Sequence, residues 1–335
     1  MSGEKSRRLL HLVLAVGTIA LLGLFARSVD WRRAWSAATS AKPGMLSIAI
    51  VANLASLAVK GVRWSLFLEA AGVRGMAAII RATFAGAALN NVLVANGGDA
   101  ARVAALARRS ATSSAAVLAT LVVDRTCDLI SYIVLFVVAA FTLPVPPALA
   151  VWRIPGAVAL TAVLVAIGAI AWRANQPSGQ QAEAEPTSSS GLRAYWNQLA
   201  ATTGAVSTPS RLGVAVLLSF IAWAGQWATF HYAASAVDFG TSASTSLLAL
   251  LLVNASFLIR LTPGNVGVFQ LLYTLAATAA GLDRTDAVAA AFLIQVIQYI
   301  PVTVIGLLLA PSLVRAPISV SPNQMRVRGD SELGA

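Results

Sequence analysis

Two stretches of the chain combine glycine, asparagine and ionisable residues in a pattern that could hold an anion. The first reads Asn90-Asn91-Val-Leu-Val-Ala-Asn96-Gly97-Gly98-Asp99, with Arg102 one helical turn later. The second starts at Asn254-Ala-Ser256, passes Arg260 and ends Pro263-Gly264-Asn265-Val-Gly267, with Gln270 shortly after. Glycine lets the backbone turn sharply, and a helix restarting after such a turn offers unpaired N–H groups and the positive end of its dipole. Phosphate fits that environment. Arg260 adds to it, because no acid lies within a helical turn and a guanidinium fork matches phosphate oxygens. Two plainer readings stay open: the glycines serve ordinary turns, and Arg260 snorkels at the mouth of its segment.

A third group, Asp124-Arg125-Thr-Cys-Asp128, lies inside the apolar run 115–143. Arg125 and Asp128 are three apart and Asp124 and Asp128 four apart, so each pair can share one helical face. Such a group can neutralise itself and lock its helix to neighbours, or it can touch a substrate directly. Lys60 and Arg63-Trp64 close the apolar run 45–59, where both cations can snorkel towards headgroups. Arg63, Arg81 and Arg102 can also draw an anionic lipid to a cytoplasmic entrance or act as positive-inside anchors. Gln226, Gln295, Gln298 and Tyr299 are polar positions on apolar helices, which interhelical hydrogen bonds explain. Gln295 and Gln298, three apart, could also line a wet cavity.

Other chemistries lack their residues. Cys127 is the single cysteine, and His11 and His231 have no acidic or thiol neighbours, so no metal site, cofactor or disulfide framework is expected. No phosphate-binding G-x-x-x-x-G-K-[ST] loop, G-x-S-x-G elbow or H-E-x-x-H pair occurs. The net charge of +11 is spread among hydrophobic segments, which argues for cytoplasmic loops facing anionic headgroups and against nucleic acid.

The elements that carry these residues belong in a membrane. Of 335 residues, 58% are hydrophobic and 11% charged, about half the charge of an ordinary soluble domain. Mean hydropathy is +0.76. Runs at 9–25, 45–59, 115–143, 151–172, 212–237 and 287–310 read as helices, the first a retained helix and not a cleaved signal. Runs 82–95, 247–259 and 271–281 fall short of the roughly 20 residues a crossing needs, which points to re-entrant hairpins. The expected fold class is an all-α polytopic integral membrane protein with about six to eight transmembrane helices and two re-entrant hairpins in an inverted-repeat arrangement. Residues 1–312 form one transmembrane domain with halves 1–172 and 192–312. Between them, 173–191 reads as a disordered cytoplasmic loop, and 313–335 as a disordered cytoplasmic tail. Residues 192–206 are expected to lie along the membrane surface. Positive-inside counting puts both termini in the cytoplasm of a cell bounded by this membrane.

Taken in order, four motifs resemble the lysylphosphatidylglycerol synthase transmembrane region, a family of flippase-like membrane proteins. Lys60-Gly-Val-Arg63-Trp64 resembles the family's Arg-Trp after its second helix. Asn90-Asn91 with Gly97-Gly98-Asp99-Ala-Ala-Arg102 resembles its first glycine motif, and Asp124-Arg125-Thr-Cys-Asp128 its Glu-Arg-x-x-Asp helix. Pro263-Gly264-Asn265-Val-Gly267-Val-Phe-Gln270 resembles its Pro-Gly-Gly-x-Gly-x-x-Glu, with Asn265 in place of a glycine and Gln270 in place of the glutamate. The family's proline before the first glycine pair is absent. The resemblance implies a transporter, not an enzyme, that moves a phospholipid or polyprenyl-linked saccharide between leaflets, with the glycine motifs, Arg102 and Gln270 at the headgroup, where the reading of Arg260 as a lone arginine beside a glycine break places that residue too. Arg63, Trp64, Asp124, Arg125 and Asp128 would serve structure or coupling. A non-catalytic partner of an envelope lipid or glycan biosynthesis complex is one alternative. An intramembrane lipid-modifying enzyme built on Asp99, Asp124 and Asp128 is another.

Overall fold

A computed structural model describes residues 39–92, 97–110, 112–143, 147–174, 202–255 and 267–311, with Arg32, Trp35, Ser36, Val145 and Asn265. Ten helices make up this part: α1 (Pro43–Ala70), α2 (Met76–Val92), α3 (Gly97–Ser110), α4 (Ser114–Thr142), α5 (Pro147–Ala150), α6 (Arg153–Ala174), α7 (Pro209–Ala236), α8 (Ala243–Ala255), α9 (Val268–Ala279) and α10 (Arg284–Leu309). No strand occurs among the described residues. Helices α1, α7 and α10 are each long and apolar enough to cross a bilayer. Helix α4 is longer, at 29 residues, but carries the Asp124–Asp128 group. The expected helix at 9–25, the loop after Ala174 and the tail from 313 lie outside the described residues, as do Arg260, Pro263 and Gly264.

Helices α1 and α7 form the central antiparallel pair. Pro43 opens α1 at a position where its missing N–H costs nothing. The Lys42 N–H donates to the carbonyl of Ala236 at one end of the pair. Further along, Thr229 donates to the Ala49 carbonyl and Ser56 to that of Ala222. The helices approach closely because Gly225 has no side chain: a Cβ there would lie 3.0 Å from the Cβ of Ser56 and 3.1 Å from the Ala52 carbonyl oxygen. Small residues and hydroxyl hydrogen bonds do this work in lipid, where exclusion of water cannot drive helices together.

Helix α10 packs across both α1 and α2. Gly306 lies against the carbonyl of Phe84, which an added Cβ would approach to 2.4 Å. Pro301 sits inside α10. It has no N–H to give Ile297, so that carbonyl needs another donor in a medium without water. Asn53 on α1 supplies one: its Nδ2 lies 3.3 Å from the Ile297 oxygen and 3.2 Å from that of Gln298.

Two short pairs complete the arrangement. Helices α2 and α3 pack on each other, and so do α8 and α9. At a rise of about 1.5 Å per residue, they are roughly 25, 21, 20 and 18 Å long, all below the roughly 30 Å of a bilayer's hydrocarbon core. Around α8 and α9 the packing is aromatic, with Phe230 5.7 Å from Phe269 and 6.0 Å from Tyr273 between ring centroids. Tyr132 of α4 donates its hydroxyl to the Leu251 carbonyl of α8.

Candidate functional site

The tip of the first short pair is held by one side chain. Asn90, near the end of α2, accepts from the Gly98 N–H through Oδ1 at 2.9 Å and donates from Nδ2 to Asp99 at 3.2 Å. It thus caps the start of α3 and orients that helix's first carboxylate. Gly98 must be glycine, since a Cβ would lie 2.0 Å from the Gly86 carbonyl oxygen and 2.7 Å from the Asn90 nitrogen. Asn91 points elsewhere, donating at 3.0 Å to Thr303 of α10.

Asp99 collects two cations. Its carboxylate lies 3.0 Å from Arg102 in its own helix and 2.8 Å from Arg125 of α4. Arg102 is only 6% exposed and stacks over Trp64, with its guanidinium carbon 4.3 Å from the ring centroid. Trp64 is fixed in turn by its indole N–H, which donates to Thr120 at 3.1 Å. Arg102 Nε is buried and has no hydrogen-bond partner among the described residues.

Next to this group, Arg63 holds both carboxylates of α4. Its Nε donates to Asp124 at 2.7 Å, and its Nη1 donates to Asp128 at 2.9 Å and to the Ser219 hydroxyl of α7 at 2.7 Å. A second bond to Asp124, from Nη2 at 3.2 Å, makes that pair bidentate. Arg63 is 0% exposed. It therefore does not snorkel: α1 continues to Ala70, and two carboxylates facing it keep the guanidinium inside. The expectation of a self-neutralising group on α4 is also corrected. Arg125 turns to Asp99 and not to Asp128, because the two acids share a face that Arg63 already occupies.

One cation stands apart. Lys60, one turn before Arg63 on the same helical face, forms no ion pair or hydrogen bond through its ammonium among the described residues. Its Nζ lies 5.8 Å from the Trp223 ring centroid, with Asp128 the leading opposite charge in its field. Lys60, Arg63, Arg102 and Arg125 thus face Asp99, Asp124 and Asp128: four cations against three carboxylates, an excess of one positive charge.

A chain of neutral amides leads away from this cluster. Gln298 of α10 donates to Gln226 of α7 at 3.1 Å, and Gln226 lies 3.4 Å from Asn53 and 3.2 Å from Ser56. Three residues before Gln298, Gln295 accepts from Gln270 of α9. Gln270 also accepts the Gly267 N–H at 2.7 Å, capping α9 where Asn265 (φ 56°) and Gly267 (φ 87°) take left-handed backbone. Gln295 and Gln298 are thus hydrogen-bonded between helices. The described residues of the second glycine stretch are not brought into the ionic cluster. Asn265, Gly267 and Gln270 stand at the far end of the amide chain, and Arg260, Pro263 and Gly264 are outside the described residues.

Sequence reasoning did not single out Asn53, Ser56, Ser219, Trp223 or Thr303. A signal existed for Asn53 alone, since Pro301 announces a carbonyl that needs a donor. Among the described residues, no three metal-ligating side chains converge.

Arginine and acid at the motif positions, a glycine-tipped helix pair and a second such pair near Gln270 are the features by which the chain resembled a family in sequence. No curated protein matches the chain. The family described as the lysylphosphatidylglycerol synthase TM region matches residues 9–306, and the chain belongs to that family of membrane proteins.

Proposed function

We propose that the chain is a lipid flippase-like transporter and not an enzyme, and that the ionic cluster at the tip of α2 and α3 receives the anionic headgroup of a phospholipid or polyprenyl-linked saccharide. The observation that carries this reading is the excess positive charge of the cluster among the described residues, together with the buried Nε of Arg102, which has no hydrogen-bond partner among them. Isolated charge is costly within a bilayer, roughly 2.5–3.5 kcal/mol per group on insertion scales, and an anionic ligand offsets it. Lys60 supplies the mobile contact and Arg102 the fixed one. The amides of Asn53, Gln226 and Gln298 offer donors and acceptors to a headgroup further along.

The helix arrangement supports the same reading. Each half has a 28-residue helix (α1, α7), then a short pair (α2–α3, α8–α9), then a long helix (α4, α10). In this reading the two halves are inverted relative to one another, which the antiparallel run of α1 and α7 supports. The short pairs are re-entrant hairpins in this reading, with their tips meeting the headgroup near the midplane. The protein lies in the cytoplasmic membrane with Arg74, Arg108 and Arg109 on the cytoplasmic side. Every carboxylate of the cluster is held by an arginine, which leaves none free for acid–base work and favours transport over lipid modification.

Leaflet exchange of fluorescent phosphatidylglycerol and phosphatidylcholine in proteoliposomes of the purified chain tests the proposal. Lys60→Gln should slow exchange of the anionic lipid about tenfold, the worth of one charged hydrogen bond, and leave stability unchanged. Exchange insensitive to Lys60 and Arg102 would remove the cluster from the pathway. Absence of exchange with folded protein would favour a non-catalytic partner in envelope lipid or glycan synthesis.

A further inference from the structure

The molecule has a second feature that faces lipid, remote from the ionic cluster. A recess of about 320 Å³ opens between α4, α8, α9 and the start of α6. That is within the range of small-molecule pockets. Phe136, Leu248, Leu252 and Leu272 form its walls, and Trp152 and Arg153 line it where α6 begins. Among the described residues, Arg153 is the one charged residue of the lining. Its guanidinium carbon lies 5.0 Å from the ring centroid of Phe141, in the last turn of α4, so the recess lies at the end of α4 opposite the Ser113 cap.

Arg153 is poorly provided for. It makes no ion pair among the described residues, and its Nε is buried without a hydrogen-bond partner. A guanidinium in that position attracts an anion, and the first turn of α6 adds the positive end of a 22-residue helix. Directly beside it the walls are aliphatic and aromatic. A ligand that satisfies both parts carries a negative head on a long apolar tail. Trp152 marks the depth, since exposed tryptophan at a helix end sits at headgroup level.

From this geometry we infer that the recess is a binding site for one anionic phospholipid, with an acyl chain against Phe136, Leu252 and Leu272 and the phosphate on Arg153. The site is separate from the Lys60–Arg125 cluster and does not depend on the transport reading. Bound there, the lipid ties α6, which among the other helices packs mainly on α4, to the α8–α9 pair.

Native mass spectrometry of the detergent-purified full chain, titrated with phosphatidylglycerol or phosphatidylcholine of equal chain length, tests the inference. Wild type should retain one phosphatidylglycerol in preference to phosphatidylcholine. Arg153→Gln should weaken that retention about tenfold, and Arg153→Lys should keep most of it. Leu252→Trp, which fills the recess, should expel the lipid. Free glycerol 3-phosphate should not displace it, because the acyl chain supplies the apolar part. Equal retention of both lipids, or undiminished retention by Arg153→Gln with an unchanged melting profile, would each overturn the site.

Discussion

Arg63 sets the local order of the first half through four hydrogen bonds to three partners on two helices. Such a residue is hard to replace singly, because its removal strands two carboxylates rather than one contact. Arg63→Gln should therefore destabilise the folded chain by about 3–5 kcal/mol, read as a lowered melting temperature in detergent. A neutral Arg63→Gln would mean that water reaches Asp124 and Asp128. Lys60 is the opposite case, partly exposed and free of ion pairs among the described residues, so under the proposed function its loss should show in lipid movement and not in stability. The sequence singled out Arg63, Trp64, Asp99, Arg102, Asp124, Arg125 and Asp128 because ions inside apolar runs stand out, and the structure brings these residues into one cluster. The sequence could not assign their partners. A spacing of three or four identifies a shared helical face but says nothing about which helix lies opposite, and here the opposing helices took every pairing that Arg125 and Asp128 could have made together.

At the level of elements, hydropathy located α4, α6, α7 and α10 to within a few residues, since lipid contact demands an apolar stretch of fixed length. Ends were less legible. Apolar content stops at Lys60, yet α1 runs on to Ala70, because its last turns face buried protein and not lipid. The α1–α10 contact was equally hidden. Asn53 reads as one polar residue in an apolar run until Pro301 is placed beside it. Asn53→Leu should cost about 1–3 kcal/mol by leaving the Ile297 carbonyl unpaired. Pro301→Ala restores a donor to that carbonyl within α10. The double variant should accordingly lose less than the sum of the two single losses, measured as a double-mutant cycle in denaturation midpoints. Strict additivity would show that Asn53 is held for some other reason.

For the whole molecule, the antiparallel α1–α7 pair sets which ends share a side. In a chain with Cys127 replaced by alanine, Arg74→Cys and Arg108→Cys should react with an impermeant maleimide from one side of the membrane and Arg284→Cys from the other. Labelling of all three from the same side would rule out the inverted relation of the halves. A further consequence lies in how the cluster's acids are held. Asp99, Asp124 and Asp128 are each clamped by arginines between packed helices, so these charges stay with the scaffold. Under the proposed transport function, the charge that crosses is the ligand's alone and its passage is electrogenic. A full crossing by one unit charge couples to a membrane potential by about 2.3 kcal/mol per 100 mV, or roughly 50-fold in distribution. Proteoliposomes clamped at 100 mV with valinomycin and potassium should therefore bias an anionic lipid strongly towards the positive side and leave a zwitterionic one evenly spread. A voltage-independent distribution of the anionic lipid would mean that a cation travels with it.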